Sequence, residues 1–184
     1  MIYSKPIAMK LIDNFENRVI KFIKGSGVLD RAKTNSGFYM LPYLITSIPE
    51  LKNCFEGFRV FDAASYIMFN NQAGKPHKDH TPLKARVNIP ILNCENTLTE
   101  FWQPQLGEQS EIIQQPNGLP YESYDNCKLD LVHSVCIDQP TVIRVREIHS
   151  VRLLSEKIPR ITLTLMLYPD PVTLLENEHV DTAN

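Results

Sequence analysis

The chain has no C-x-x-C pair, no cluster of Lys and Arg, and no apolar run long enough to span a membrane. Without paired cysteines a zinc ribbon is disfavoured. Cys54, Cys94, Cys127 and Cys136 read instead as reduced, mostly buried thiols of a cytoplasmic protein. Without a basic patch, and with a net charge of −2, nucleic acid is not an expected partner. Without an apolar run no helical membrane span is expected, and the opening MIYSKPIAMK lacks the apolar core of a signal peptide. No internal repeat and no second domain are visible, and nothing indicates an oligomeric state. The remaining composition is ordinary for a soluble domain, 43% hydrophobic and 22% charged over 184 residues. We read residues 1–169 as a single domain able to bury a sizeable core, followed by an acidic tail over 170–184.

Patterning then orders the chain. Residues 1–10 allow a short edge strand. Ile12, Phe15, Val19, Phe22 and Ile23 recur at helical spacing, with Asp13 and Glu16 as a capping pair, so a helix is expected over 14–24. Residues 25–40 are polar and turn-rich, and Pro49 suits the first turn of a second short helix, Pro49–Phe55. From Phe58 onward the texture is β. Strands are expected at Phe58–Phe69, Lys84–Leu92, Leu98–Trp102, Lys128–Ile137, Thr141–Val151 and Arg160–Tyr168. Many short strands with few helices indicate a mainly β sandwich or barrel with flanking helices. Residues 94–127, rich in Gln and Pro and broken by Pro116, Asn117 and Gly118, read as a long irregular insertion and a candidate lid.

Side-chain alternation points to a site. In Arg160–Tyr168 one face carries Arg160, Thr162, Thr164 and Met166, while Ile161, Leu163, Leu165 and Leu167 make the other wholly apolar. Lys84–Leu92 repeats this, with Arg86 and Asn88 opposite Val87, Ile89 and Ile91. Polar faces on otherwise apolar strands are explained by a barrel whose interior is a ligand cavity. Thr141–Val151 adds His149, aligned with Ile143, Val145 and Glu147, and Lys128–Ile137 adds His133 among apolar neighbours. Between two strands lies His77-Lys78-Asp79-His80. Taken singly, each of these residues has an unremarked structural role available to it. Their order along the chain is more specific: His-x-Asp, a distant His, then an Arg opening the next strand. It matches a facial set of two imidazoles and one carboxylate, His77, Asp79 and His149, that leaves coordination positions open for non-haem iron(II). His80 could take the place of Asp79.

At these residues the chain resembles the iron(II)/2-oxoglutarate-dependent dioxygenase superfamily, most of all its aspartyl/asparaginyl β-hydroxylase-like branch. Arg86 follows His77 by nine residues and precedes Ile89-Pro90-Ile91, and His149 is followed by Pro159-Arg160-Ile161-Thr162-Leu163, as in that branch. The similarity covers roughly 66–92 and 140–169. It departs from the branch at Asp79, because characterised members can lack the carboxylate. The resemblance implies a double-stranded β-helix (a jelly roll, cupin-like) that uses Fe(II), 2-oxoglutarate and O2 to hydroxylate an unactivated C–H bond. The substrate implied is a peptidyl Asp or Asn, or a small acidic molecule. Arg160 is expected to grip the far carboxylate of 2-oxoglutarate, aided by Thr162 and Thr164, with Arg86 reaching that carboxylate or a substrate acid. Asn88, Trp102, His133 and Tyr66 are the candidate substrate-side or supporting residues, with Tyr121 and Tyr124 as possible covers and Arg152 and Lys84 near the mouth. Two other readings fit the residues: a non-catalytic β-helix module that binds a ligand or partner, and a cupin-like metal isomerase or hydrolase.

Overall fold

The computed structural model describes residues 1–114 and 120–176, so Pro116, Asn117, Gly118 and the end of the acidic tail lie outside the described residues. Twelve strands are described: β1 (Ser4–Pro6), β2 (Gly37–Met40), β3 (Arg59–Met68), β4 (His77–Asp79), β5 (Ala85–Leu92), β6 (Thr97–Pro104), β7 (Glu111–Gln114), β8 (Pro120–Ser123), β9 (Leu129–Val135), β10 (Thr141–Arg144), β11 (His149–Leu153) and β12 (Arg160–Tyr168). The helices are α1 (Phe15–Gly25), α2 (Val28–Thr34), α3 (Leu44–Ser47) and α4 (Thr173–Glu176), with a 3-10 turn at Pro49–Asn53.

The strands form two six-stranded sheets, ordered β1-β10-β5-β12-β3-β2 and β7-β8-β4-β11-β6-β9, and every pairing within them is antiparallel. Setting aside β1, β2 and the β7–β8 hairpin leaves β10-β5-β12-β3 facing β4-β11-β6-β9. The chain crosses between these two sheets repeatedly, β3 to β4, β5 to β6, β9 to β10, β11 to β12. That winding is a double-stranded β-helix, the jelly roll.

The main apolar core lies outside this sandwich. Val19 and Ile23 of α1, Val28 and Ala32 of α2, Leu44 and Leu51 pack on Ala63, Ile67, Val87, Ile89, Leu163 and Leu165 of the first sheet. These are the alternate residues of β3, β5 and β12 that strand parity assigns to the apolar face. Burial of a Leu or Ile there stabilises by about 1.5–3 kcal/mol. Between the sheets a smaller cluster of Phe101, Ile137, Ile143 and Val145 fills part of the interior. The rest of that space is a cavity.

Several elements differ from the sequence reading. Residues 25–40 contain α2 and β2, which their polar composition concealed. Asp13 is not the cap of α1; Asn14 occupies that position in the left-handed region, at φ 50°. His77–Asp79 is a short strand rather than a loop. Thr141–Val151 is two strands in different sheets, because the chain bends after Arg144 and Val145 bonds outward at both backbone groups, to Lys84 O and from Asp79 N–H. The described part of residues 94–127 is no irregular insertion. Thr97–Pro104 is a core strand, and Glu111–Gln114 with Pro120–Ser123 forms a hairpin that extends the second sheet beside β4. The β-branched pair Ile112-Ile113 and the aromatic Tyr121 suit strands, and the Gln and Pro content hid it.

The turn entering β4 is seated tightly. A Cβ built on Gly74 would stand 1.8 Å from the carbonyl oxygen of Val151, so the backbone of β11 leaves no room for a side chain. Gly74→Ala is expected to lower unfolding stability by about 1–3 kcal/mol, read as an earlier midpoint in a urea melt.

Candidate metal centre

His149 of β11 and His77 of β4 are direct antiparallel partners, so both side chains leave the ladder on the same face. Their ring centroids are 4.4 Å apart. Asp79, two residues beyond His77 in the same strand, joins that face by alternation. One ligating atom from each of His77, Asp79 and His149 lies within 4.8 Å of the others.

Both rings are fixed by the same local device. Nδ1–H of His77 donates to the carbonyl of Lys75 at 2.8 Å, and Nδ1–H of His149 to the carbonyl of Glu147 at 2.9 Å. A carbonyl oxygen only accepts, so Nδ1 carries the proton in each ring. Nε2 is thereby left as the atom that can ligate, the orientation that metal-binding histidines use. Burial, then the neighbouring His77, pushes His149 down to about 4, which keeps its ring neutral at neutral pH. Burial disfavours charge on His77 as well, but the Asp79 carboxylate outweighs it and the ring lies above its ordinary value. Against its own burial, Asp79 is held well below the usual carboxylate range by His77 and Arg86.

Asp79 divides its two oxygens. Oδ1 is 3.5 Å from Nε2 of His77. Oδ2 accepts a 2.7 Å hydrogen bond from Nη1 of Arg86. Arg86 therefore serves the metal-site carboxylate. His80 is exposed and, though it lines the same cavity, is not one of the three clustered groups.

Deeper in the same cavity Arg160 is only 1% exposed. Its Nε donates to Thr97 Oγ1 at 3.2 Å, while among the described residues Nη1 is buried with no partner. An arginine is almost never buried without an anion, and Nη1 can still donate a hydrogen bond to an acidic group. Burial pushes its guanidinium below the ordinary value. Tyr66 lies beside it, its own phenol pushed up by burial, and Thr162 is its neighbour on the cavity face of β12. The cavity measures about 1010 Å³ and is lined by the metal cluster, Arg86, Asn88, Arg160, Thr162, Thr164 and Met166. Asn88 is bound into the wall as the 2.9 Å acceptor for the Thr164 hydroxyl.

Five of the candidates lie elsewhere. Trp102 points to the outer face of the second sheet, where its indole N–H donates to Ser150 Oγ at 2.8 Å. Phe101 takes the inward position, and alternation sends its neighbour out. Arg152 shares the outer face, paired with the buried Glu100 at 2.6 Å. Lys84 does not line the cavity; its backbone N–H bonds Asp170. His133 sits one layer behind the site, stacked on Tyr3, bonded to Ser4 and packed on Phe101, which in turn touches His149. Of the two tyrosines, Tyr121 meets the edge of His77 at 5.7 Å and lines the cavity. Tyr124 turns away to bond Glu122. Sequence reasoning missed Thr97, which was read as part of the insertion, and Phe38, which lies in a segment read as turns. The face of Phe38 is 5.2 Å from the Arg86 guanidinium.

No family model and no curated protein matches the chain. Among solved structures it is similar to the non-heme alpha ketoglutarate dependent carbocyclase SnoK from nogalamycin biosynthesis, at 11% identity and TM-score 0.48, over 90% of this chain and 79% of that one. It is also similar to the non-heme alpha ketoglutarate dependent epimerase SnoN from the same biosynthesis, at 13% identity and TM-score 0.43, over 100% of this chain and 87% of that one. A second SnoN structure, in complex with Fe3+, alpha ketoglutarate and nogalamycin RO, gives 13% and 0.43 over 100% and 88%. The jelly-roll assignment rests on the strand order described above.

Trp102→Phe removes one indole hydrogen bond on the outer face. It is expected to cost about 1 kcal/mol in a urea melt. Titration with Mn(II) should give the wild-type affinity, because no cavity group moves.

Proposed function

We propose that the protein is an iron(II)- and 2-oxoglutarate-dependent oxygenase that hydroxylates an unactivated C–H bond. The observation that carries this reading is a conjunction in one cavity. Two imidazole Nε2 atoms and a carboxylate converge at one end, and a fully buried arginine, its Nη1 unpaired among the described residues, lies in the wall. The donor set suits iron(II), since two imidazoles and one carboxylate bind it while leaving positions open. Arg160 suits a dicarboxylic co-substrate, whose near end can chelate the metal while its far carboxylate meets Nη1. Bound iron, with 2-oxoglutarate and dioxygen, supplies the oxidising power for cleavage of the C–H bond.

The chain's own residues do the rest. His77 and His149, held through Nδ1, and Asp79, held by Arg86, present a fixed face for the metal. Arg160 orients the co-substrate through a charge-assisted contact, and Tyr66 and Thr162 add hydroxyl groups beside it. Tyr121, from the β7–β8 hairpin, covers His77 and narrows access to water. At the mouth Arg31, on α2, lines the cavity and supports a substrate with an acidic group, either a small molecule or a peptidyl Asp or Asn. The hairpin and the segment around β2 both contribute residues to the cavity lining, and we assign substrate selection to them.

The test needs no substrate. Anaerobic addition of iron(II) and 2-oxoglutarate should give the weak visible charge-transfer band of a chelated keto acid, and in air succinate should form slowly. His77→Ala should abolish both. Arg160→Lys should weaken 2-oxoglutarate by about 10–100-fold, the loss of one charge-assisted hydrogen bond, with iron affinity unchanged. A protein that binds metal but forms neither band nor succinate would be a cupin-like isomerase or hydrolase. One that binds no metal would be a ligand-binding module.

A further inference from the structure

A second cavity, of about 740 Å³, lies between α1, α2 and residues 40–48. α1 reaches it through Arg18, Lys21, Phe22 and Gly25, spaced i, i+3, i+4 and i+7. They form one stripe, separate from the core stripe of Phe15, Val19 and Ile23. A Cβ built on Gly25 would meet nothing within 4 Å, so that end of the stripe is open. Val28, Leu41 and Ile48, all buried, give the cavity an apolar floor. Among the described residues three cations line it and no Asp or Glu does. Arg18 is matched by Glu50, bonded at 2.9 and 3.0 Å. Lys21 and Arg31 have no ion-pair partner among the described residues, and Arg31 is held over the Tyr39 ring at 5.9 Å. The cavity therefore joins an apolar floor to two uncompensated positive charges.

Tyr43, also in the lining, is strained. The Leu44 N–H bonds Leu41 O at 3.1 Å, closing a turn with Pro42 and Tyr43 at its centre. Tyr43 sits there at φ 73°, a conformation that turns ordinarily give to glycine. Its side chain is 78% exposed, and among the described residues its hydroxyl has no hydrogen bond and its ring no aromatic or cationic partner. Nothing in its own chain offsets the strain, and such strain gathers at ligand clamps. We propose that this cavity binds a small apolar carboxylic acid, its acyl or aryl body on the floor and against the Tyr43 ring, its carboxylate on Lys21 and Arg31. The volume is within the range that encloses such molecules. Arg31 and Met40 line the metal cavity as well, so the two sites adjoin, but binding here requires no metal.

Decanoate is the probe, titrated calorimetrically into the full chain, with decyltrimethylammonium as the cation of equal chain length. Decanoate should bind at one site with a dissociation constant below about 1 mM, and the cation at least about tenfold more weakly. Lys21→Glu, on an exposed position of α1, should weaken decanoate by about tenfold or more. Tyr43→Gly should weaken it by about three- to tenfold, the loss of one apolar contact. Its urea midpoint should equal or exceed that of wild type, because glycine takes φ 73° without strain. A tyrosine kept for structure alone would instead lower the midpoint and leave binding untouched. Arg160→Lys should leave decanoate affinity unchanged. No binding by wild type, or wild-type affinity in either Lys21→Glu or Tyr43→Gly, overturns the assignment. Equal affinity for the cation does so too. Weakening by Arg160→Lys would place the probe in the metal cavity and overturn it as well. A wild-type dimer in sedimentation that decanoate disperses would make the occupant a second copy of the chain, which also overturns it. Should Tyr43→Gly fail to fold, Tyr43→Asn, which tolerates the left-handed region, makes the same test.

Discussion

The site depends on a single antiparallel bridge, His149 against His77. These residues are far apart in sequence and lie on strands of only five and three residues. Neither strand would be stable alone, and neither histidine would have a defined direction in a loop. Pairing sets the distance between the two rings, and the Nδ1 bonds to Lys75 and Glu147 set their rotation. β4 is in turn held by β8 on its other edge, and β11 by β6. Metal geometry here follows from sheet register.

The energetic division of the fold follows from where the apolar residues went. Most of the burial lies between the first sheet and α1–α3, and only the small cluster around Phe101 fills the interior. A jelly roll that relied on the space between its sheets for stability could not leave a cavity of about 1010 Å³ there. The helices remove that conflict. They also explain how the interior tolerates Arg160, Arg86, Asn88 and Thr164 in strands whose opposite faces carry Val, Ile and Leu.

What the sequence disclosed, and what it concealed, follows from the range of the interactions. β5 and β12 were legible because each is long and alternates clearly, and parity alone assigned Arg86, Asn88, Arg160, Thr162 and Thr164 to the cavity side. His77, Asp79 and His149 were legible from order and residue type. The break between β10 and β11 was not, since Thr141–Val151 is continuously β-like and only tertiary bonds at Val145 divide it. Nor was the outward turn of Trp102, which depends on Phe101 claiming the interior at a bulge in the β6–β9 pairing. The role of Arg86 could not be read from one strand: its acceptor is seven residues back, and its aromatic support comes from β2, which has four residues in a segment of turns.

β12 has a property that its central place in the first sheet makes consequential. Its odd-numbered side chains belong to the helix-backed core, and its even-numbered ones face the cavity. Stability and ligand chemistry are therefore encoded in interleaved positions of one segment, with almost no shared residue. Evolution can revise one set with little penalty in the other, so long as no residue is inserted or deleted. A single-residue indel between Arg160 and Met166 would exchange the two sets over the remainder of the strand, placing leucines against the cavity and threonines against the helices. Point substitution is the open route to a different cavity face in this strand, and length change is closed.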